Sequence, residues 1–449
     1  MIRGGSPLAG KRAGTTKPEA FVAFAALFCA AALPAAAQEF DRELVYDGGE
    51  HPWVGTVPWV YYNWGGNIGG LYHFGNETST MGGISEETWR YVFREDHQGT
   101  VKILHTVSPG EIVVESGDYV FAPAGWEDNG LLNQSVDGSI KGSGDLIVNA
   151  GASLAIYIDN EYSGDTIVEG TLTAAVNEDS GYNTGHGAFG TGTLRVESTG
   201  TVNLNGTVQK NAAAEIAGTL NLGENKSGAE AAYNPFAEAT GAVSLVSGGA
   251  LDLGGNANVT MPLAVSGGTI AHGTLSGNVD VALAPGADLK LDGATLSQTV
   301  SGLELSGGSA VSLENGASLS VNGLVVEVSS VDAAAITLSG NSALTLGGSL
   351  KLNIDDALLA ELLENQGTAS VQVVSVADAG DSGAADCIKG TFASVQVNDG
   401  SLWTATFDPT TGGVLISAVP EPAFIGLLFG AFGLLHATRR RPRSRRPQA

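Results

Sequence analysis

Apolar and polar residues alternate in short runs along most of the chain, and each run begins at a glycine. From about Leu131 to Ile354 the recurring phrase is Gly, a small or polar residue, and then apolar residues at every second position. A period of two is typical of β-strands that bury one face. Copies of the phrase begin at Gly151, Gly170, Gly192, Gly200, Gly218, Gly249, Gly268, Gly286, Gly308, Gly316 and Gly347. We expect these glycines to supply the positive-φ turns between strands.

The spacing of the copies indicates a solenoid. Successive copies begin 19 residues apart at Gly151 and Gly170, and 22 residues apart at Gly170 and Gly192. One turn of about 20 residues cannot bury its apolar row alone, but stacked turns form a continuous core. An all-β sandwich would show longer hairpins and more aromatic core residues. The pattern therefore predicts an all-β fold, a right-handed parallel β-helix of about eleven coils over residues 131–354.

The segments on either side of the repeats have the composition of caps. Residues 38–130 form an aromatic-rich N-terminal segment, predicted to cover the open end of the first coil. Its tryptophans and tyrosines are Tyr46, Trp53, Trp59, Tyr61, Tyr62, Trp64, Tyr72, Trp89, Tyr91, Tyr119 and Trp126. Residues 355–418 are predicted to form a small α/β cap. In it, a short helix from Asp355 places leucines on one face, and four strand-like segments follow.

The first 37 residues have the pattern of a secretory signal peptide. A basic stretch precedes an apolar run from Phe21 to Ala37, which ends on small residues before the chain turns polar. The pattern predicts cleavage after Ala37, with Ala35 and Ala37 on one side of the cut bond and Gln38 on the other. Cleavage there would leave Cys387 as the single cysteine, so no internal disulfide is expected.

The end of the chain, residues 419–449, has three parts in a fixed order. Pro420-Glu421-Pro422 precedes an apolar run over 423–437, which is short for a membrane-spanning helix. Six arginines follow at once, Arg439, Arg440, Arg441, Arg443, Arg445 and Arg446. They would hold the tail on the cytoplasmic side of a membrane, which places the rest of the chain outside.

This order of motifs resembles the PEP-CTERM sorting signal of exported Gram-negative proteins, and the match covers residues 419–446. The matching residues are Pro420, Glu421, Pro422, the apolar run, and Arg439, Arg440 and Arg441 in the arginine cluster. The resemblance implies an exosortase and the secretion machinery as partners, and a transient inner-membrane anchor. It also implies a final location at the cell surface, the outer membrane or the extracellular matrix. It indicates where the protein is located and implies no activity.

Residues 160–172 carry a second resemblance. The segment has Tyr162, a Ser-Gly pair, Thr166 before alternating apolar residues, and a closing Gly170-Thr-Leu. It resembles the autotransporter-associated β-strand repeat, which implies a β-helical passenger of the autotransporter type.

Charge excludes one class of partner. The chain carries 21 Lys+Arg against 47 Asp+Glu, a net charge of -26. Both ends are basic, so residues 38–418 alone carry -34. Such a surface repels phosphate groups, so we expect no nucleic-acid partner.

Exposed aromatic rings can stack on sugars, so the N-terminal segment contains the candidate glycan contacts Trp59, Tyr61, Tyr62 and Trp64. The alternative is that these aromatic residues only fill the core beneath the first coil.

The repeats lack the pattern of an active site. Glycan cleavage needs carboxylates that converge on one bond. The candidate acids Asp252, Asp280, Asp288 and Asp292 lie within the repeat phrases or at their edges, where a solvated sheet face explains them. His186 and His272 are isolated, and neither metal-ligand spacings nor calcium-binding repeats occur. We therefore expect no enzyme activity, no cofactor and no metal.

These observations predict an exported, surface-sorted β-helical protein with a structural or adhesin-like role in the cell envelope or extracellular matrix. The first alternative is a surface protein that binds carbohydrate through its N-terminal Trp and Tyr residues. The second is a β-helical polysaccharide lyase or glycoside hydrolase. The expected contacts outside the cell are extracellular polysaccharide or surface proteins.

Overall fold

The computed structural model describes residues 42–46, 89–94, 98–103, 106–123, 139–175, 187–328, 330, 333–363, 368–377, 386–398 and 403–418. The chain divides into two units, Met1–Glu39 and Phe40–Ala449, and every described residue belongs to the second unit. These residues are almost entirely β-strands and turns, with one α-helix, α1 (Asp356–Leu363).

The strands are short in the first half of the chain and longer in the second. The first sixteen are β1 (Arg42–Tyr46), β2 (Trp89–Phe93), β3 (Gly99–Ile103), β4 (Thr106–Val107), β5 (Glu111–Val114), β6 (Asp118–Pro123), β7 (Ser139–Ile140), β8 (Asp145–Val148), β9 (Ser153–Ile156), β10 (Thr166–Val168), β11 (Thr171–Ala174), β12 (Thr193–Val196), β13 (Thr201–Asn203), β14 (Ala213–Ile216), β15 (Thr219–Asn221) and β16 (Val243–Leu245). The next sixteen are β17 (Ala250–Asp252), β18 (Leu263–Val265), β19 (Gly268–Leu275), β20 (Val279–Val281), β21 (Asp288–Leu296), β22 (Leu303–Leu305), β23 (Ala310–Glu314), β24 (Ser318–Val328), β25 (Ile336–Leu338), β26 (Ala343–Ile354), β27 (Thr368–Gln372), β28 (Val374–Val376), β29 (Ile388–Gly390), β30 (Ser394–Val397), β31 (Trp403–Asp408) and β32 (Gly413–Ala418).

Successive strands alternate between two long parallel sheets. The first sheet has ten strands in the order β1-β2-β5-β8-β10-β12-β14-β16-β18-β20. The second contains the parallel series β3-β6-β9-β11-β13-β15-β17-β19-β21-β23-β25-β28. As far as β20, successive coils give one strand to each sheet, and equivalent residues of neighbouring coils are stacked in register. These long parallel sheets are consistent with the β-helix, or solenoid, that the repeat spacing predicts.

A third side closes the coils with fewer regular strands. Isolated parallel bridges join Tyr233 to Val259 and Val259 to Leu275. Further along the chain, β24 and β26 are long enough to continue around a corner. They pair with each other on both sides of a register shift between Asn322 and Leu324.

The core consists of apolar columns that point inward from each sheet. The longest column of the second sheet is in register from coil to coil, and each member is at most 1% exposed. It comprises Leu154, Leu172, Val202, Leu220, Leu251, Ile270, Leu291, Leu313 and Leu338. Alternate residues of the same strands face outward, so the period-two pattern of the sequence directly sets the two faces.

The parallel ladders begin before residue 131, inside the segment predicted as the N-terminal cap. Strands β2 and β5 pair in the first sheet, and β3 and β6 pair in the second. Their core contains aromatic rings, with the centroid of Phe93 5.3 Å from that of Tyr119 and 5.2 Å from that of Phe121. Aromatic residues replace the Leu/Val of the recurring phrase here, which explains why the phrase is not visible in the sequence.

The C-terminal segment contains the predicted helix and strands. The Asp355 carboxylate accepts hydrogen bonds from the backbone N–H groups of Ala357 and Leu358, at 2.8 and 3.4 Å, and so caps α1. Strands β27, β32 and β31 form an antiparallel sheet. Strands β28, β29 and β30 still pair in parallel with the preceding coils. The parallel ladders therefore extend beyond residue 354, into the segment predicted as the C-terminal cap.

The glycines that begin the recurring phrase serve two different purposes. Gly151 and Gly286 have φ values of 82° and 73°, as expected for turn glycines. Gly200 and Gly218 have no positive φ, so the turn explanation is wrong for them. There, an added Cβ would lie closer than 3.0 Å to a backbone carbonyl oxygen, that of Val168 for Gly200 and those of Glu197 and Gly200 for Gly218. Close approach of two coils at this corner therefore requires glycine.

Candidate functional site

The residues that the sequence predicts to be functional lie outside the described residues. These are Ala35, Ala37 and Gln38 at the signal cleavage site, Pro420, Glu421, Pro422, Arg439, Arg440 and Arg441 in the sorting signal, and Trp59, Tyr61, Tyr62 and Trp64 as glycan contacts. The predicted signal peptide over 1–37 and the sorting segment over 419–449 lie outside them as well.

One outward surface of the second sheet has a regular chemistry. Two polar columns run across strands β9, β11, β13 and β15, one residue on either side of the inward leucine column. Their hydroxyl and amide residues are Ser153, Thr171, Thr173, Thr201, Asn203, Thr219 and Asn221, and we call this set the threonine–asparagine face. Its side chains are partly exposed and uncharged.

The second of these columns is held by hydrogen bonds between coils. Asn221 Nδ2 donates to Asn203 Oδ1 at 2.8 Å, and Asn203 Nδ2 donates to Thr173 Oγ1 at 3.3 Å. Each amide is thereby fixed in orientation by its neighbour. An amide has a second N–H and further acceptor capacity, so these bonds do not exhaust the hydrogen-bonding groups of the column.

The first column differs, because its threonine hydroxyls form no hydrogen bond with the residues that the structure describes. Among the described contacts, the hydroxyls of Thr171, Thr201 and Thr219 have no protein hydrogen-bond partner. The stacking of parallel strands sets them about 4.8 Å apart, and alternate residues along a strand lie about 6.6 Å apart. The threonine–asparagine face is therefore a regular lattice of donors and acceptors.

The next coils of the second sheet are charged. Asp252 Oδ2 lies 3.0 Å from His272 Nδ1, and Lys290 Nζ lies 2.9 Å from Glu314 Oε2 and 3.4 Å from Asp292 Oδ2. A hydrogen bond from Asn315 lowers the pKa of Asp292, and the hydrogen bond to Glu314 raises the pKa of Lys290. These groups are mutually paired and partly exposed, as in a solvated network of charges.

The carboxylates considered for catalysis do not share one surface. Asp252, Asp288 and Asp292 lie on the second sheet, whereas Asp280 faces outward from the first sheet in β20. Within the described residues, no group of three or more His, Cys, Asp and Glu side chains is placed to hold a metal ion. His272 contacts Asp252, and His186 lies outside the described residues.

The outward surface of the first sheet has polar groups that are already paired. Asp145 Oδ1 accepts a hydrogen bond from the backbone N–H of Asp165 at 2.7 Å. The side chain of Asp165 accepts one in turn, at Oδ2, from Nε of Arg195 at 3.1 Å. Burial raises the pKa of Asp145, with a further contribution from the negative charge of Asp165. These side chains of the first sheet are therefore joined in an ion pair and in hydrogen bonds between coils.

Replacing Asp145 with asparagine is expected to stabilise the protein at pH 7 and to have no effect near pH 3. The raised pKa means that folding disfavours the ionised carboxyl, and this cost disappears as the pH falls and the group is protonated in both states. Because the carboxyl is partly exposed, solvent screening keeps the gain small, within the range of about 1 kcal/mol typical of surface substitutions. Urea unfolding at the two pH values measures it. Asp165→Asn is the control with the opposite sign at pH 7, because it removes the partner of Arg195.

The threonine–asparagine face has a partial signal in the sequence. In three copies of the recurring phrase, Thr follows the glycine and Thr or Asn stands two residues later, at Thr171 and Thr173, Thr201 and Asn203, and Thr219 and Asn221. The copies are 30 and 18 residues apart, so only the strand register shows that these side chains are adjacent.

No described helix is long and apolar enough to cross a membrane. No protein-family model matches the chain, and comparisons with curated proteins and with solved structures give no match.

Proposed function

We propose that this chain is an exported, surface-sorted β-helical protein with a structural or adhesin-like role in the cell envelope or extracellular matrix. It is processed at residues 419–449 by an exosortase, after a transient stay in the inner membrane. Its coils wind in the right-handed sense, as the crossover rule predicts for parallel strands.

The observation that carries the proposal is the combination of a repetitive scaffold with a predicted signal peptide and a predicted sorting signal. The parallel sheets repeat one coil in register and build one continuous apolar core. Such a scaffold holds polar surfaces at fixed spacings, which suits display outside the cell. The motifs at both ends, as read from the sequence, supply export and sorting.

The described surfaces favour display over catalysis. The charged groups on the second sheet pair with each other, and the outward carboxylates are distributed over two sheets. Carbohydrate binding through the N-terminal aromatic residues is the second candidate, and it is supported by the density of Trp and Tyr in residues 38–130. A glycan-cleaving β-helix ranks third.

Fractionation of the native host tests the proposed function. We expect the full chain to reach the cell surface or the medium in a processed form. A chain that lacks residues 419–449 is expected to be exported but to appear in a different fraction. The matched control replaces Arg439, Arg440 and Arg441 with alanine and leaves the apolar run intact, and it should accumulate unprocessed. Equal distribution of all three chains would contradict the sorting assignment.

A further inference from the structure

We propose that the threonine–asparagine face is a binding surface for a neutral polysaccharide. The inference deepens the proposed function by assigning it a ligand class and a site. It rests on the proposed function in one respect, because export is what brings the face into contact with glycans outside the cell. Binding itself does not depend on sorting.

The two columns of the face differ in their hydrogen bonds and complement each other. On the threonine–asparagine face, the hydroxyls of Thr171, Thr201 and Thr219 have no partner within the described residues. The amide column beside them is fixed by the hydrogen bonds of Asn203 and Asn221. The face therefore combines free hydroxyls with orientated amides, and a ligand would bind without a large loss of side-chain freedom.

The face is chemically complementary to a polysaccharide. Hydroxyl and amide groups both donate and accept hydrogen bonds, as the hydroxyl groups of sugars do. The threonine methyl groups supply small apolar contacts between the polar atoms. An extended polysaccharide repeats its hydroxyls along a ribbon, so a lattice with a spacing of about 4.8 Å offers it several equivalent contacts. Several individually weak hydrogen bonds then act together.

The distribution of charge favours a neutral ligand. Residues 38–418 carry -34, yet the seven residues of the threonine–asparagine face carry no charge. An anionic glycan would be repelled by the acids on the coils to either side, such as Asp118 and Asp252. A cationic partner would favour those acids over uncharged hydroxyls. A neutral polymer is neither repelled by the neighbouring acids nor drawn to them instead of the face.

The area of the face is too small for a second copy of the chain. Four coils and two columns, with their rims, cover on the order of 250 Å² at the usual strand spacings. A stable protein interface needs about 800 Å² from each partner. The face is thus too small for a stable dimer of this chain, but it accommodates a short segment of one polysaccharide ribbon.

Binding of the full chain to amorphous cellulose, chitin and cellohexaose tests the proposal, with polygalacturonate as the anionic comparison. We expect binding to at least one neutral glycan and none to polygalacturonate. Thr201→Glu places a charge in the first column and is expected to weaken binding roughly tenfold or more, as is the combined variant Thr171→Val, Thr201→Val and Thr219→Val. The valines keep the shape and strand propensity of threonine, so this variant separates loss of hydroxyls from loss of folding.

Ala264→Glu is the matched control, because Ala264 is exposed on the outward surface of the first sheet and receives the same charge. It should bind like the unmodified chain, and circular dichroism should show the same fold for all variants. The proposal is wrong if the unmodified chain binds none of the neutral glycans, or if folded Thr201→Glu binds as well as Ala264→Glu. Sedimentation of an oligomer that Thr201→Glu dissociates would instead identify a self-association surface, which also overturns it.

The fractionation experiment and this one fail independently. A chain that binds cellohexaose but is not sorted through residues 419–449 would contradict the proposed location alone. A chain that is correctly sorted but binds none of the glycans would contradict only the proposed binding surface.

Discussion

Replacing Gly218 with alanine is expected to destabilise the β-helix by about 3 kcal/mol, a large effect for the addition of one methyl group. The new Cβ would lie closer than 3.0 Å to the carbonyl oxygens of Glu197 and Gly200 in the preceding coil. Both oxygens already accept backbone hydrogen bonds, Glu197 O from the N–H of Gly200 at 2.7 Å within the corner and Gly200 O from the N–H of Thr219 at 2.9 Å between coils. The corner can relieve the overlap only by separating two coils. Urea unfolding followed by circular dichroism measures the loss.

Gly347→Ala is the matched control for this prediction. Gly347 also lies in the recurring phrase and also lacks a positive φ, but an added Cβ there would meet nothing closer than Asn322 Oδ1 at 3.5 Å. We expect a change of less than about 1 kcal/mol, of either sign, because alanine also reduces the freedom of the unfolded chain. Equal unfolding midpoints for Gly218→Ala and the unmodified chain would show that the corner has room to relax.

The leucine column shows how much of the fold can be predicted from the sequence. Leu172, Leu220 and Leu251 follow their glycines by the same two positions, so the period-two pattern identifies them as inward-facing. A side-chain period of two is a local property of a strand, and it needs no knowledge of distant contacts. The register between coils is then imposed by the shared core, because a slip of one residue would expose the whole row.

The N-terminal coils and the corners show why the rest could not be predicted. Tyr91, Phe93, Tyr119 and Phe121 occupy the core where later coils have Leu or Val, so the phrase is absent although the coil is present. The reason for glycine at Gly218 is a carbonyl group that belongs to the preceding coil. Such a contact depends on how two coils stack and has no local signature.

The threonine–asparagine face shows the same limit for function. The sequence contains Thr and Asn at fixed positions of three phrases, but their separations of 30 and 18 residues differ because the coils carry turns of different length. Strand pairing converts these unequal separations into one regular spacing. A surface lattice is therefore a property of register, which a single sequence does not specify.

Leu251→Asp is expected to have the largest effect of any single substitution considered, a loss of about 5 kcal/mol at pH 7. Leu251 is fully buried and stacks between Leu220 and Ile270 of the neighbouring coils. A carboxylate there would lose its hydration without gaining a partner, since the column that surrounds it is apolar. The loss should be smaller at low pH, because burial raises the pKa of an introduced carboxyl and its neutral form is less costly.

Ala250→Asp is the control, because it introduces the same residue one position earlier on the outward surface of β17. We expect it to cost less than about 1 kcal/mol. Amide hydrogen exchange adds a test specific to a solenoid, in which each coil is stabilised by its neighbours. In Leu251→Asp, protection should be lost first in β15, β17 and β19, while β8 and β9 retain it. Uniform loss over all these strands would show that the coils unfold as one cooperative unit and not in nearest-neighbour steps.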